Sequence, residues 1–512
     1  MNNTTINNKR IAKNTLLLYT RMFLVMAISL YTVRVVLNAL GEVDYGVYNV
    51  VGGVVLMFSF LNSSLASASQ RFFAFELGRN KPEKLKRTFG AMLYFYAIVC
   101  LLLLVGVECF GIWFLNNKLN IPLDRLSAAN LVFQFSTLTF LVRMINTPFQ
   151  ALIIANEKMN VFAVVGIIEV ALQLIMVLGL QYSNGDKLIL YSILLTVNII
   201  IVTSCYIIYA KKTFRECTLR PIYDRTIAKD IIKYSSWMML YGFSEVFYVQ
   251  GINMLLNIFF GTIVNSARAI AYQVYGAIKL FGVNFFKAVE PQMTKLYAQN
   301  DLKSSFFLLN TSSKLSFFLI LVLSLPIITF APYILKLWLK EVPEYTIVFT
   351  QLMLVDAMIG ILGNPLGTMS RATGYIGKYS IIISLLYMAN LPASYMFLKL
   401  GASPVSVFIV MIVLSIITVG ARIILLKDQI FEFSIISYMK EAILPICIVG
   451  GGITLLYLVF SQIVIDSIFD FLLYSSLLVL LSLICCYFLG LTRNEKYLVV
   501  KIIKQAKRKS YE

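Results

Sequence analysis

Histidine is missing altogether from the 512 residues. Its absence excludes imidazole catalysis, histidine metal sites and histidine proton relays. Charge is scarce as well. Only 13% of the residues are Asp, Glu, Lys or Arg, against roughly 25% in an ordinary soluble protein. Acids are the rarer sign, 25 against 44 Lys and Arg, for a formal net charge of +19. The seven cysteines, Cys100, Cys109, Cys205, Cys217, Cys447, Cys485 and Cys486, form no C-x-x-C pair. Most fall in apolar runs and read as small buried side chains, not as a disulfide framework or metal site. No G-x-x-x-x-G-K-[ST] occurs, so no ATP-binding module is built in. No loop exceeds about 20 residues, which leaves no room for a large catalytic domain outside the membrane. The polar N-terminus is not followed by a short apolar region with a small-residue cleavage site, so the first span is expected to be an uncleaved anchor.

What remains is apolar: 59% of the chain. A soluble domain cannot hide that much apolar surface, and the chain is expected to lie in a bilayer as an all-α polytopic membrane protein. Windows of about 20 mostly apolar residues place spans at 15–40, 46–68, 90–115, 128–155, 160–181, 187–210, 234–260, 263–288, 306–334, 345–370, 376–398, 402–426, 440–462 and 468–490. Fourteen spans put both termini on one side. The connections on that side hold 30 Lys and Arg, and those on the other side 6. This bias predicts that the termini are cytoplasmic, and it accounts for most of the surplus charge. Lys233, Lys314 and Arg422 read as cytoplasmic helix ends. The tail Lys501–Lys509 reads as a further positive-inside determinant that would also attract anionic membrane lipid. A nucleic-acid partner is not expected.

The polar stretch Lys211–Asp230 divides the chain. The expected domains are an N-terminal six-helix bundle over 1–210, a cytoplasmic linker over 211–230, and a second six-helix bundle over 231–430. Two additional helices and a basic tail follow over 431–512. Matches at an offset of about 220 residues support two parallel bundles around a central cavity: Leu37-Asn38 with Leu256-Asn257, Gly41 with Gly261, and Asn80 with Asn300.

An ionisable residue inside a span is costly and usually faces a cavity or a partner. The basic ones are Arg21, Arg34, Arg143, Arg268 and Lys279; the acidic ones are Glu169, Glu245 and Asp356. Arg268, Tyr272, Tyr275 and Lys279 are spaced 4, 3 and 4, which puts all four on one helix face. Two cations and two phenols make a poor lipid face but a good lining for an anionic, hydroxyl-rich ligand. Alternatively, Lys279 snorkels or pairs with Glu245. Arg21 is a further cavity cation, and Arg34 reads as an outer anchor against Glu42 or Asp44. Glu169, Glu245 and Asp356 are candidates for ion coupling. The competing reading is that Arg143 or Lys279 neutralises these acids. Asn62–Gln70, rich in small residues, ends the second span, with Arg71 at its mouth. Gly360, Gly363, Pro365 and Gly367 in the tenth span, and Pro148 in the fourth, suggest breaks.

The stretch Ser29 to Val50 carries Arg34, Leu40-Gly41 and Tyr45-Gly46 between two long helices. It resembles the start of Wzx-type polysaccharide transporters of the multidrug/oligosaccharidyl-lipid/polysaccharide (MOP) exporter superfamily. The run Asn62–Gln70 closed by Arg71, the span number and the mid-chain linker are similar too. The resemblance implies a MATE-like fold and a flippase rather than an enzyme, with no cofactor. Its cargo would be an undecaprenyl-pyrophosphate-linked oligosaccharide, an O-antigen, capsule or exopolysaccharide repeat unit. The direction would be from the cytoplasmic to the periplasmic face of a bacterial inner membrane, by alternating access. It also implies lipid-linked oligosaccharide, polysaccharide polymerase and glycosyltransferases as partners, and Arg21, Arg71 and Arg268 as cationic lining residues. The family has no universal coupling residue to carry over.

Two alternatives stand beside it. A cation-coupled multidrug exporter of the same superfamily would favour intramembrane acids, yet Leu16–Leu40 contains none. An integral-membrane polysaccharide polymerase would need a sizeable loop with clustered acids or arginines, which the chain lacks.

Overall fold

The computed structural model describes residues 3–56, 58–117, 123–180, 182–183, 185–218, 220–339, 342–492 and 495–496. The helices are α1 (Asn3–Leu56), α2 (Ser59–Gly78), α3 (Pro82–Asn117), α4 (Leu126–Ala155), α5 (Met159–Leu180), α6 (Lys187–Thr213) and α7 (Arg225–Ala298). They continue with α8 (Leu302–Thr329), α9 (Ala331–Trp338), α10 (Thr346–Gly360), α11 (Gly363–Thr373), α12 (Gly377–Lys399) and α13 (Val405–Gln429). The last three are α14 (Ile435–Tyr438), α15 (Leu444–Phe460) and α16 (Ile468–Cys485). No strand occurs among the described residues. Eleven helical stretches among the described residues are long and apolar enough to cross a membrane. The chain is thus a multi-pass helical membrane protein. The windows 15–40, 46–68 and 263–288 are not among those eleven. Their described residues fold as helix, in stretches where several side chains, Arg34 among them, lie outside the described residues; the side chains of Gln250 and Asn257, in the window 234–260, lie outside them too. The basic tail Lys501–Lys509 also lies outside them.

Helices α1 and α7, 54 and 74 residues long, are each far too long to cross a bilayer once. In α1 the helical backbone is kinked at Gly41, whose φ of 77° a side-chain-bearing residue adopts only with strain. In α7 a hydrogen bond marks a turn back. Along a straight helix residues 249 and 268 would be about 28 Å apart. Arg268 Nη2 nonetheless donates to the Val249 carbonyl at 2.8 Å, so the two ends of α7 are legs of a hairpin.

One boundary differs from the sequence expectation. The run Asn62–Gln70 does not end a span but lies inside α2, which continues to Gly78. Serine and alanine are tolerated there because Ser63, Ser64 and Ser69 donate back to carbonyls three or four residues earlier.

Helix starts at Pro82, Leu126, Met159 and Lys187 recur at Leu302, Thr346, Gly377 and Val405, each about 220 residues later. The joints recur too. Asn80 and Asn300 both take left-handed φ, 53° and 61°. Each closes its helix with the same pair of bonds: Asn80 N to Leu77 O and Lys81 N to Glu76 O, and Asn300 N to Tyr297 O and Asp301 N to Leu296 O.

The chain forms two compact units, Lys13–Gly242 and Phe243–Glu512 with Met1–Ala12. In the first, α4 packs against α2, α3 and α6. Phe73, Phe89 and Phe149 form an aromatic core with ring centroids 5.6 and 5.5 Å apart. In the second, α13 packs against α10, α11 and α12, and α8 carries α15 and α16. Phe349 and Phe408 meet at 4.3 Å in the core that also takes in Leu256, Ala267 and Met411 from α7 and α13.

Candidate functional site

Each unit carries its own set of intramembrane polar side chains. In the Phe243–Glu512 unit they centre on the second leg of α7. Arg268 is buried, 7% exposed. Its two terminal nitrogens are tied to the first leg, Nη1 to Asn253 Oδ1 at 3.0 Å and Nη2 to Val249 O at 2.8 Å. Its guanidinium lies over the Tyr272 ring, which packs on Tyr275 with centroids 5.6 Å apart. Lys279 lies over Tyr275 from the other side, 5.4 Å from the ring centroid. The four residues thus form the continuous cation–phenol–phenol–cation face that their spacing predicts. The face is graded. Arg268 is locked and buried, whereas Tyr272 and Lys279 are 37% and 44% exposed. Lys279 also pairs with Glu245 at 3.7 Å, the alternative that the sequence left open.

Asp356, on α10, is 5% exposed and accepts a hydrogen bond from Ser415 of α13. Among the described residues it forms no ion pair within 4.0 Å. Of the three candidate acids it is the buried one.

In the Lys13–Gly242 unit, Glu169 of α5 pairs with Arg143 of α4 at 3.2 Å. Here too the neutralised reading of the acid is the one realised. Arg21 reaches α5, where its guanidinium lies 4.5 Å from the Phe162 ring centroid. Gly166 makes the approach possible, because a Cβ there would sit 2.1 Å from Arg21 Nε. Among the described residues that buried Nε has no hydrogen-bond partner. Arg71 sits among the rings of Phe72, Phe75 and Tyr234 at 4.7–5.4 Å. Asp44 pairs with Arg125; the side chain of Arg34 lies outside the described residues. Arg125 also meets Asp186 at 3.0 Å. The Asp44 bond, followed by the charges of both carboxylates, raises the Arg125 pKa further above its ordinary value.

Two cations escaped the sequence reading. Lys314 and Arg422 were expected at cytoplasmic helix ends, yet they are 1% and 4% exposed. Lys314 Nζ donates to Glu495 at 2.7 Å. Arg422 holds Gly363 O at 2.9 Å, the Tyr379 hydroxyl, and the Tyr387 hydroxyl at 3.1 Å. A cation near a span end reads as snorkelling. The available signal for Arg422 was Tyr379 and Tyr387, eight residues apart and so on one face of α12.

No protein-family model matches the chain, and no curated protein matches it either. Solved structures do. A multidrug resistance MATE family transporter of the MOP superfamily, in an outward-facing conformation, matches with a TM-score of 0.72 at 14% identity, over 84% of this chain and 98% of that one. MATE in the bent conformation matches with a TM-score of 0.73 at 14% identity over the same shares. A MOP superfamily transporter from Pyrococcus furiosus, described by the reverse polarity of its binding pocket, matches with a TM-score of 0.67 at 14% identity, again over 84% and 98%. The fold is therefore that of MATE-type membrane transporters. These neighbours are transporters, not enzymes.

Proposed function

We propose that the protein is a flippase for lipid-linked oligosaccharide. It moves an undecaprenyl-pyrophosphate-linked O-antigen, capsule or exopolysaccharide repeat unit from the cytoplasmic to the periplasmic face of a bacterial inner membrane by alternating access. This reading keeps fourteen spans, both termini cytoplasmic, two six-helix bundles over 1–210 and 231–430, and a C-terminal helix pair in 431–512. The observation that carries it is the face Arg268–Tyr272–Tyr275–Lys279, in which exposed phenol and ammonium groups stand beside a locked guanidinium. An ammonium attracts pyrophosphate and a tyrosine ring stacks on sugar. Arg21 and Arg71 supply cations from the other bundle. Membrane lipids hold the polyprenyl tail. The polymerase and glycosyltransferases of the same glycan are the expected protein partners, with no nucleic acid.

Cation-coupled multidrug export is the second reading. The MATE neighbours fit it equally well, with Asp356, Glu169 and Glu245 as the candidate coupling acids.

Deleting the gene separates the two. The flippase reading expects lipid-linked repeat units to accumulate on the cytoplasmic face. Their absence, together with new drug sensitivity, selects the exporter. Lys279→Ala gives a sharper test. Its ion pair with Glu245 is half exposed and contributes less than about 1 kcal/mol, so the variant is expected to melt like the parent protein. Glycan export is expected to drop at least about tenfold, the equivalent of 1.4 kcal/mol. Wild-type export by this variant removes Lys279 from the site.

A further inference from the structure

The break expected in the tenth span is a tightened joint: α10 stops at Gly360, α11 starts at Gly363, and Ile361 and Leu362 between them keep helical dihedrals while Leu362 N and Asn364 N bond only three residues back. Helix α13 grips both sides of it. Before the break, Ser415 donates to Asp356 on α10. Seven residues on, two turns along the same face of α13, Arg422 donates to the carbonyl of Gly363 at 2.9 Å. The guanidinium needs the glycines around it. A Cβ on Gly363 would stand 3.1 Å from Arg422 Nε, and one on Gly367 would stand 2.9 Å from Nη1. The other arm of the same guanidinium points elsewhere: Nη2 donates to the Tyr387 hydroxyl of α12 at 3.1 Å. Tyr387 in turn packs against Tyr248 of α7, ring centroids 5.7 Å apart. Tyr248 lies in the first leg of α7, one residue before the carbonyl that Arg268 holds.

We propose that Arg422 is a positioning residue that couples a hinge at Ile361–Leu362 to the cation–phenol site. One planar group holds α11 through Gly363 and Tyr387 through its hydroxyl, so the two cannot move independently. When Arg422 releases Gly363, α11 is free to pivot on the break, and Tyr387 loses the bond that presses it on Tyr248. A lysine keeps the charge but cannot fork to both partners. Tyr387→Phe keeps the ring and removes the hydroxyl that Arg422 holds.

The proposal rests on the transport reading for its second half, and two readouts keep the parts separate. The first is hydrogen exchange of the 359–367 amides in the full-length protein in lipid nanodiscs. Arg422→Lys is expected to speed their exchange by about tenfold or more, and Tyr387→Phe to leave it within about twofold. The second is uptake of a fluorescent farnesyl-pyrophosphate-linked disaccharide into proteoliposomes. Both variants are expected to shift the half-saturating concentration about threefold or more. Arg422→Lys exchanging like the wild type overturns the hinge. Tyr387→Phe with wild-type half-saturation overturns the coupling. If Arg422→Lys does not fold, Gly363→Ala replaces it: its Cβ crowds Nε without removing the charge, and the same two outcomes decide. If the wild-type protein takes up none of the probe, the transport reading fails, while the exchange data still decide the hinge.

Discussion

Replacing Lys314 with methionine is expected to lower unfolding stability by about 3–5 kcal/mol, the range for stripping one partner from a buried ion pair. Lys314 and Glu495 are 1% and 6% exposed at the side chain. Glu495 accepts from Lys314 Nζ at 2.7 Å, from the amide and hydroxyl of Thr492 at 2.8 Å, and from Thr311 at 3.0 Å. The variant leaves a carboxylate with neutral donors only. The double variant K314M/E495Q removes both charges and is expected to recover most of the loss, because an apolar isostere often matches a buried pair. Denaturant titration of the wild type, K314M, E495Q and K314M/E495Q in nanodiscs measures the cycle. Equal stability of K314M and the wild type would mean that the pair is solvated.

The same pair predicts a pH dependence. Burial raises the Glu495 pKa, but the bonds from Lys314 and Thr492 outweigh it and hold the carboxyl below its ordinary value. A depressed folded-state pKa gives stability that is complete above the unfolded value, near about 4.3 for glutamate. It is lost as pH falls through the lower folded-state value. Stability from this pair should therefore be flat near neutrality and decline below about pH 4. The E495Q variant should lack that decline.

Arg268→Ala is the second large effect. The guanidinium is the tie between the legs of α7, and its removal takes the charged donor away from both Asn253 Oδ1 and Val249 O. Hydrogen bonds from a charged donor contribute about 1.5–3 kcal/mol each. A loss of about 3 kcal/mol is expected, together with loss of transport. The contrast with Lys279→Ala is informative. One residue of the stripe holds the hairpin and the other faces outward, so stability and export should separate between them. A stable but inactive Arg268→Ala would mean that the residue meets cargo directly. An unstable variant rescued by lysine would assign it to the hairpin.

Much of this was legible in the sequence. Apolar windows gave most of the helices, because a bilayer imposes length and composition together. The pairs Arg143–Glu169 and Lys279–Glu245 were open as alternatives, because an acid and a cation on neighbouring spans have few other partners. The stripe on α7 followed from spacing alone. The buried roles of Lys314 and Arg422 did not. Near a span end, a cation that snorkels and a cation that turns inward have the same sequence signature, and only tertiary packing separates them. The hairpin of α7 was legible, because the windows 234–260 and 263–288 put a turn between them. The bond from Arg268 back to Val249 was not, because spacing places a residue on a face and not against the neighbouring leg. The repeat was faint in side chains but plain in backbone. Asn80 and Asn300 share a left-handed joint, although little around them is identical.

The hairpin of α7 has a consequence for biosynthesis. Its first leg is the least apolar of the eleven candidate spans, and the second does not qualify as one. Each leg carries charge that the other satisfies: Glu245 waits for Lys279, and Asn253 waits for Arg268. A lone charge at mid-membrane opposes insertion by about 2.5–3.5 kcal/mol. During translation, the first leg is therefore expected to insert poorly on its own, until the ribosome has made some thirty residues more. The two legs then enter the lipid together, as one preassembled unit.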